Sequence, residues 1–280
     1  MLTLTQTLNL LQELDFRPKK SLGQNFLIDP NIVRKSVAMA ELHPRDVVVE
    51  IGPGLGTLTQ ALLKKSHRVY AVECDRCLCD FLQKNYGEEP KDRFHLWYGD
   101  AVEFPVAGKP TSEEYKVVAN LPYAISTPWM DAILSQETLP SRMVLLLQRE
   151  TAERFLAKIG TKAMSPMAIF LQSAYDVKAM HPVSRKCFFP EPSVDSALLS
   201  LDRKKNPVLF SREEKFNIRH FFTERRKQMK HLIAKHLEPS TAHAWLTCFH
   251  DGGISDTVRP EAVPIIMWQR LGSLPAKTID

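Results

Sequence analysis

Three groups of residues in this chain have types and spacings that could do chemistry. The first is Glu50-Ile-Gly52-Pro-Gly54-Leu-Gly56, placed between a β-branched run and an apolar-periodic one. Glycines at such a turn accept positive φ and let the backbone come close to a ligand. Their spacing excludes two phosphate-binding patterns. A dinucleotide fingerprint has its third glycine five positions after the first, where this chain has Thr57. A phosphate-cradling loop needs Gly-Lys-Ser/Thr, which does not occur. The Gly-x-Gly-x-Gly turn instead fits S-adenosylmethionine, a cofactor without a pyrophosphate, with Gly52 and Gly54 against it. The second group is a pair of acids. Glu73 closes the next β-like run, 21 residues after Gly52, the distance at which an acid takes ribose hydroxyls. Asp100 closes the third run and can accept from an adenine amino group, or serve as an ordinary turn residue.

The third group, Asn120-Leu-Pro122-Tyr123, closes a fourth run. An adenine exocyclic amine is a poor nucleophile because its lone pair is delocalised into the ring. Two acceptors, the Asn120 side-chain oxygen and the backbone carbonyl on the Pro122 side, would favour a tetrahedral nitrogen and free that pair. Tyr123 supplies a face for the base, and stacking contributes roughly 1–3 kcal/mol per base. Attack on a methyl group is then governed by positioning and electrostatics, with neither a metal nor a strong general base.

These groups need elements that hold them at one end of a sheet. Short apolar runs at 46–51, 68–73, 93–98, 116–120 and 143–147 read as strands. Helical spacing falls at 3–14, 31–40, from the glycine turn to 65, and at 76–86, 127–134, 149–158 and 166–174. Two late strands, 176–180 and 194–201, have no helix between them and are expected as an antiparallel hairpin at a sheet edge. The alternation predicts an α/β, doubly wound, Rossmann-like sheet with ligands at its carboxyl ends. After Leu201 the texture turns helical. The expected division is 1–204, a methyltransferase domain, and 205–280, a small all-α RNA-binding domain.

Charge supports that division. The 280 residues carry a net +5, and the whole excess sits in residues 201–280, with 14 basic and 9 acidic side chains. Residues 203–236 alone reach +8, interleaved with apolar residues at helical spacing, as a phosphate-binding face would be. Lys215, Arg219, Arg226 and Lys230 fall together on a helical wheel. Apolar residues at 44 % and charged ones at 25 % are ordinary for a globular chain. Five cysteines, an odd number, argue for a reducing compartment rather than a disulfide framework. Cys74, Cys77 and Cys79 lack a paired fourth ligand, so no metal is expected. No secretory signal and no membrane span are expected, which places the protein in the cytoplasm.

The chain resembles the small-subunit ribosomal RNA adenine dimethyltransferases of the kasugamycin-resistance type. The resemblance rests on Lys19-Lys-Ser-Leu-Gly-Gln-Asn-Phe-Leu27, Val49-Glu-Ile-Gly-Pro-Gly-Leu-Gly-Thr-Leu-Thr59 and Asn120-Leu-Pro-Tyr123 with Ile125-Ser-Thr-Pro128. It continues in Leu147-Gln-Arg-Glu150, Phe188-Phe-Pro-Glu-Pro-Ser-Val-Asp-Ser196 and Arg225-Arg-Lys227. It implies that Asn25 and Leu27 close over S-adenosylmethionine, and that Gly52, Glu73, Asp100 and Asn120 hold the cofactor or the reacting amine. It implies that Phe188 stacks on the target adenine opposite Tyr123, with neighbouring Phe189 also placed to do so. Arg225, Arg226 and Lys227, with Lys19 and Lys20, would grip RNA. The implied activity is transfer of four methyl groups to two adjacent adenosines in the 3′-terminal hairpin loop of 16S rRNA in the 30S particle, by a monomer. Three departures from the family pattern, Met164-Ser-Pro166, Glu191 in a proline-rich stretch and His231 after the basic motif, bear on RNA contact. A 23S rRNA dimethyltransferase, a DNA adenine methyltransferase and a non-catalytic ribosome-assembly or transcription factor are the alternatives.

Overall fold

The computed structural model describes residues 1–19, 22–87, 92–109 and 113–271. Lys20 lies outside them. The strands are β1 (Phe26–Leu27), β2 (Val47–Ile51), β3 (Arg68–Glu73), β4 (Phe94–Tyr98), β5 (Lys116–Asn120), β6 (Arg142–Gln148), β7 (Tyr175–Val183), β8 (Phe188–Phe189) and β9 (Ser196–Arg203). The helices are α1 (Leu4–Glu13), α2 (Pro30–Met39), α3 (Thr57–Leu63), α4 (Arg76–Tyr86), α5 (Ser126–Ile133), α6 (Arg149–Phe155), α7 (Pro166–Ala174), α8 (Arg212–Thr223), α9 (Met229–His236), α10 (Pro239–Asp251) and α11 (Ile265–Leu271).

Two compact units divide the chain. The first comprises residues 1–152 and 176–203. Its seven-stranded sheet has the order β4-β3-β2-β5-β6-β9-β7. Strands β4 to β6 are parallel, and β9 runs antiparallel to β6. All five residues of β2 are buried, which is why its sequence is a continuous apolar run around Glu50 rather than an alternation. The order reverses between β3–β2 and β5–β6, so the carboxyl ends of β2 and β5 flank a topological switch point, where open α/β sheets bind ligands. The α/β sheet read from the sequence is therefore the one observed. β7 and β9 are neighbours at the sheet edge, with β9 on the inner side against β6.

A second, two-stranded sheet was not legible in the pattern, because two residues show no periodicity. Here β1 pairs antiparallel with β8, matching Phe26 with Phe189 and Leu27 with Phe188. The segment that carries Asn25 is thus anchored at its end. Leu27 and Phe188 join the main apolar core, while Phe26 packs with Phe16, Leu11, Leu55 and Leu78.

The second unit comprises residues 153–175 and the helices from 204 onward. Helix α7 belongs to it, although it precedes β7 in sequence, so compactness does not follow a single cut near 204. Ser211 and Glu214 form a reciprocal capping box that starts α8. Phe221, Trp245, Phe249 and Trp268 fill the centre, with ring centroids 5.4–6.3 Å apart. No described helix is long and apolar enough to cross a membrane.

Candidate active site

The glycine turn is shaped by its neighbours as much as by its own torsions. Gly52, Gly54 and Gly56 have φ of 63°, 58° and 75°. A Cβ on Gly52 would lie 3.1 Å from the Pro122 ring, and one on Gly54 3.1 Å from the Phe26 ring. The turn therefore touches both the Asn120 tetrapeptide and β1. These segments enclose a cavity of about 230 Å³. Asn25, Leu27, Gly52, Gly54, Glu73, Asp100, Asn120, Leu121, Pro122 and Tyr123 all line it, so the structure brings together residues spread over a hundred positions of sequence.

Among the described residues that line the cavity, the charged ones are all acids: Glu50, Glu73 and Asp100. Glu73 is buried at the end of β3. Its Oε1 accepts from the amides of Cys74 (2.9 Å) and Asp75 (3.0 Å), and its Oε2 from Gly54 N (3.2 Å). Burial pushes its carboxyl above the usual range despite those amides. A carboxylate has about four acceptor sites, so one on Oε2 is left for a ligand hydroxyl. Asp100 caps its own turn through Val102 N (2.8 Å) on Oδ1. Its turn role and its place in the cavity coexist.

Glu50 was not singled out by the sequence reading, since it looked like part of a strand. It is fully buried, burial pushes its carboxyl up to about 8, and Oε2 has no hydrogen-bond partner. A buried carboxyl oxygen left without a partner beside Glu73 is costly unless a donor meets it. With acids and no described basic side chain in its lining, the cavity disfavours a phosphate-bearing ligand.

Asn120 is oriented by the loop before β1. Its Nδ2 donates to the Asn25 carbonyl at 3.0 Å, while Asn25 Nδ2 donates to Gly23 O at 3.0 Å. Only the nitrogen can donate to a carbonyl, so Asn120 Oδ1 is left as the acceptor. The expectation for the Pro122 carbonyl needs correction. It already accepts from Ile125 N (3.1 Å) and Ser126 Oγ (3.3 Å), which occupies both its lone pairs. The preceding carbonyl, Leu121 O, takes no such turn hydrogen bond among the described residues and is left as an acceptor. Tyr123 is half-buried in a short 3-10 turn, and burial raises its phenol.

Phe188 also departs from expectation. Its ring is 2 % exposed, packed in the sheet core beside Leu27, and offers no face to a base in this conformation. Phe189 is the partly exposed ring of the pair. Lys19 does not stand free: its Nζ is 2.7 Å from the buried Asp75 carboxylate, which also caps α4. That bond raises the Lys19 ammonium and ties the loop to the start of α4. Asp75 was missed because it reads as a plain helix cap.

In the second unit, Arg225, Arg226 and Lys227 have unlike surroundings. Arg225 donates to Lys162 O (3.1 Å) and lies 3.7 Å from Glu261. Lys227 is bound to Glu224. Arg226 is exposed, with no recorded partner. Lys215, which the helical wheel grouped with Arg226, is only 4 % exposed and lies over the Phe170 ring. Glu191 pairs with Arg185 at 2.8 Å. Among the described residues one set of metal-ligating side chains converges: His220, Glu224 and His236, with ligand atoms within 4.8 Å of one another. Lys227, Lys235 and His236 already hold the Glu224 carboxyl well below its ordinary range, and the two lysine charges oppose a further cation.

Comparison with known proteins agrees with this geometry. The family model described as ribosomal RNA adenine dimethylase matches residues 15–268. The chain is 49 % identical to the ribosomal RNA small subunit methyltransferase A of Opitutus terrae, over 96 % of this chain and 98 % of that protein. The protein of the same name from Lactobacillus helveticus is 36 % identical, over 93 % and 92 %. Among solved structures, a dimethyladenosine transferase from Plasmodium falciparum superposes with a TM-score of 0.73 at 24 % identity, covering 88 % of this chain and 95 % of that one. The 23S rRNA methyltransferase ErmE gives 0.65 at 23 %, covering 89 % and 98 %. At those identities the two structures speak for the fold. The acid-lined cavity, the oriented asparagine and the match over nearly the whole chain lead to one conclusion: the chain belongs to the ribosomal RNA adenine dimethylase family.

Proposed function

We propose that this enzyme dimethylates the N6 amino groups of two adjacent adenosines in the 3′-terminal hairpin loop of 16S rRNA, on the 30S particle, in the cytoplasm. The name shared by the curated relatives supports the small subunit as target. The observation that carries the reading is the cavity beside Asn120 whose charged lining residues, among the described ones, are all acids. Its acids at the strand ends and its glycine cradle fit S-adenosylmethionine, which carries no phosphate and is cationic at sulfur and at its amino group. That cofactor supplies an electrophilic methyl group when bound. Glu73 would hold a ribose hydroxyl, Asp100 the adenine amine, Gly52 and Gly54 the backbone approach, and Asn25 and Leu27 the cover.

The chain's own residues prepare the target. Tyr123 takes the face of an extruded adenine, and an unpaired loop base costs least to extrude. Asn120 Oδ1 and Leu121 O each accept one amine hydrogen and draw the nitrogen toward tetrahedral geometry. Phe188 reaches the base only if β1 parts from β8, whereas Phe189 is available as it stands. Arg226, with Arg225 and Lys227 behind it, contacts phosphates, which positions RNA without reading its sequence; Lys19 and Lys20 would add to the grip. We read the enzyme as a monomer without a metal.

The test is methyl transfer from labelled S-adenosylmethionine to undermethylated 30S particles, 50S particles and DNA, followed by mapping of the modified base. Label on two adjacent adenosines of 16S rRNA is the expected result. Label on 23S rRNA or DNA overturns it.

A further inference from the structure

We propose that Ser196 is a positioning residue for methyl transfer, its hydroxyl fixing the ring of Tyr123 against which the target adenine stacks. This rests on the reading of Tyr123 given above. Ser196 Oγ lies 2.6 Å from the Tyr123 phenol oxygen. The serine is 0 % exposed and opens β9. A tyrosine ring has two side-chain torsions. The turn that follows Pro122 fixes the Cα end, and the bond to Ser196 fixes the far end. The stacking face is then held before a base arrives, so less rotamer freedom is lost on binding.

Ser196 is itself held on several sides. It pairs with Gln148 at the end of β6. The preceding residue, Asp195, accepts Arg149 N on its carbonyl and Arg185 N on its carboxylate, both at 3.0 Å. The register explains how a residue that starts a strand reaches the catalytic end of the sheet. Asn120 is level with Leu146, and Leu146 with Leu198. Because β9 is antiparallel, stepping back from Leu198 to Ser196 moves toward the carboxyl ends of the parallel strands. The Val194-Asp-Ser196 segment thus acts as a clip: Asp195 anchors it and Ser196 delivers the bond. The buried phenol stays protonated at neutral pH, so the pair is two neutral hydroxyls.

Ser196→Ala and Tyr123→Phe remove the same bond from opposite sides. Each is expected to lower kcat roughly five- to tenfold, the value of one neutral hydrogen bond near 1 kcal/mol. The double variant is expected to lose no more than either single one. Cofactor affinity, measured by calorimetry, stays unchanged, and monomethyladenosine accumulates because the second transfer needs the same alignment. Wild-type kcat in Ser196→Ala or in Tyr123→Phe overturns the proposal, as does a fully additive double variant. If Ser196→Ala does not fold, Tyr123→Phe alone decides by kcat and the mono- to dimethyl ratio. Tyr123→Ala separates the layers. An active Tyr123→Ala sinks the stacking reading itself. An inactive one, beside an unimpaired Tyr123→Phe, sinks only the positioning role.

Discussion

At the residue scale the site leaves a few polar atoms available while their neighbours are committed. Asn120 shows this plainly: its nitrogen is spent on Asn25 O, which leaves its oxygen as the acceptor proposed to take the amine hydrogen. Asn120→Ala is expected to lower kcat by roughly 10²–10³-fold, the loss typical of one preorganised polar group, with cofactor binding largely retained. Turnover within twofold of wild type would refute that role. Glu50 carries a different cost. The unfolded carboxyl titrates near 4.5 and the folded one near 8. Between those values the folded state keeps a proton that the unfolded chain has released, so stability falls as pH rises. The contribution is full below the unfolded value and lost through the folded one. Glu50→Gln removes this titration, so the variant should gain in Tm on wild type from about pH 5 to about pH 9. Parallel Tm curves for the two proteins would exclude it. Neither effect is visible in sequence, because Glu50 sits inside an apolar run and its burial is a property of the sheet.

At the element scale, the two-residue strands β1 and β8 do more than their length suggests. They tie the loop that carries Asn25 to the segment that carries Ser196, and they bury Phe188 beside Leu27. Phe188→Ala leaves a cavity in the main core and should cost about 3–5 kcal/mol in denaturant unfolding. A loss below 1 kcal/mol would mean that the ring is not a core element. Lys19 and Asp75 fasten the same loop from its other end. The longer elements were readable because each satisfies a local rule. β2 is buried on both faces, and Thr3 with Gln6 and Ser211 with Glu214 close capping boxes. A two-residue pairing obeys no such rule, and the partner of β1 lies more than 150 positions away.

At the scale of the molecule, charge is divided between the units. The cavity in the first is acidic, and the basic excess belongs to the second. Within the basic motif the structure predicts two outcomes from adjacent residues. Arg226→Ala should leave Tm unchanged and reduce the slope of log affinity for RNA against log salt by about 0.7–0.9, one phosphate contact. Arg225→Ala should lower Tm, since it strips partners from Lys162 O and Glu261. An unchanged slope for Arg226→Ala would assign that side chain to solvent.

The sequence by itself determined the order of the seven longer strands along the chain, the glycine turn, the acids at strand ends and the Asn120 tetrapeptide. Each is a local pattern of type and spacing, and together they carried the resemblance to the dimethyltransferases. Tertiary structure decided what those patterns meet. It committed the Pro122 carbonyl to its own turn, buried Phe188 and Lys215, and paired Lys19 with Asp75. It also turned β9 antiparallel, which brings Ser196 to Tyr123. The physical reason is the same in each case. Burial and hydrogen-bond occupancy belong to pairs of distant residues, and periodicity along one chain segment does not encode them.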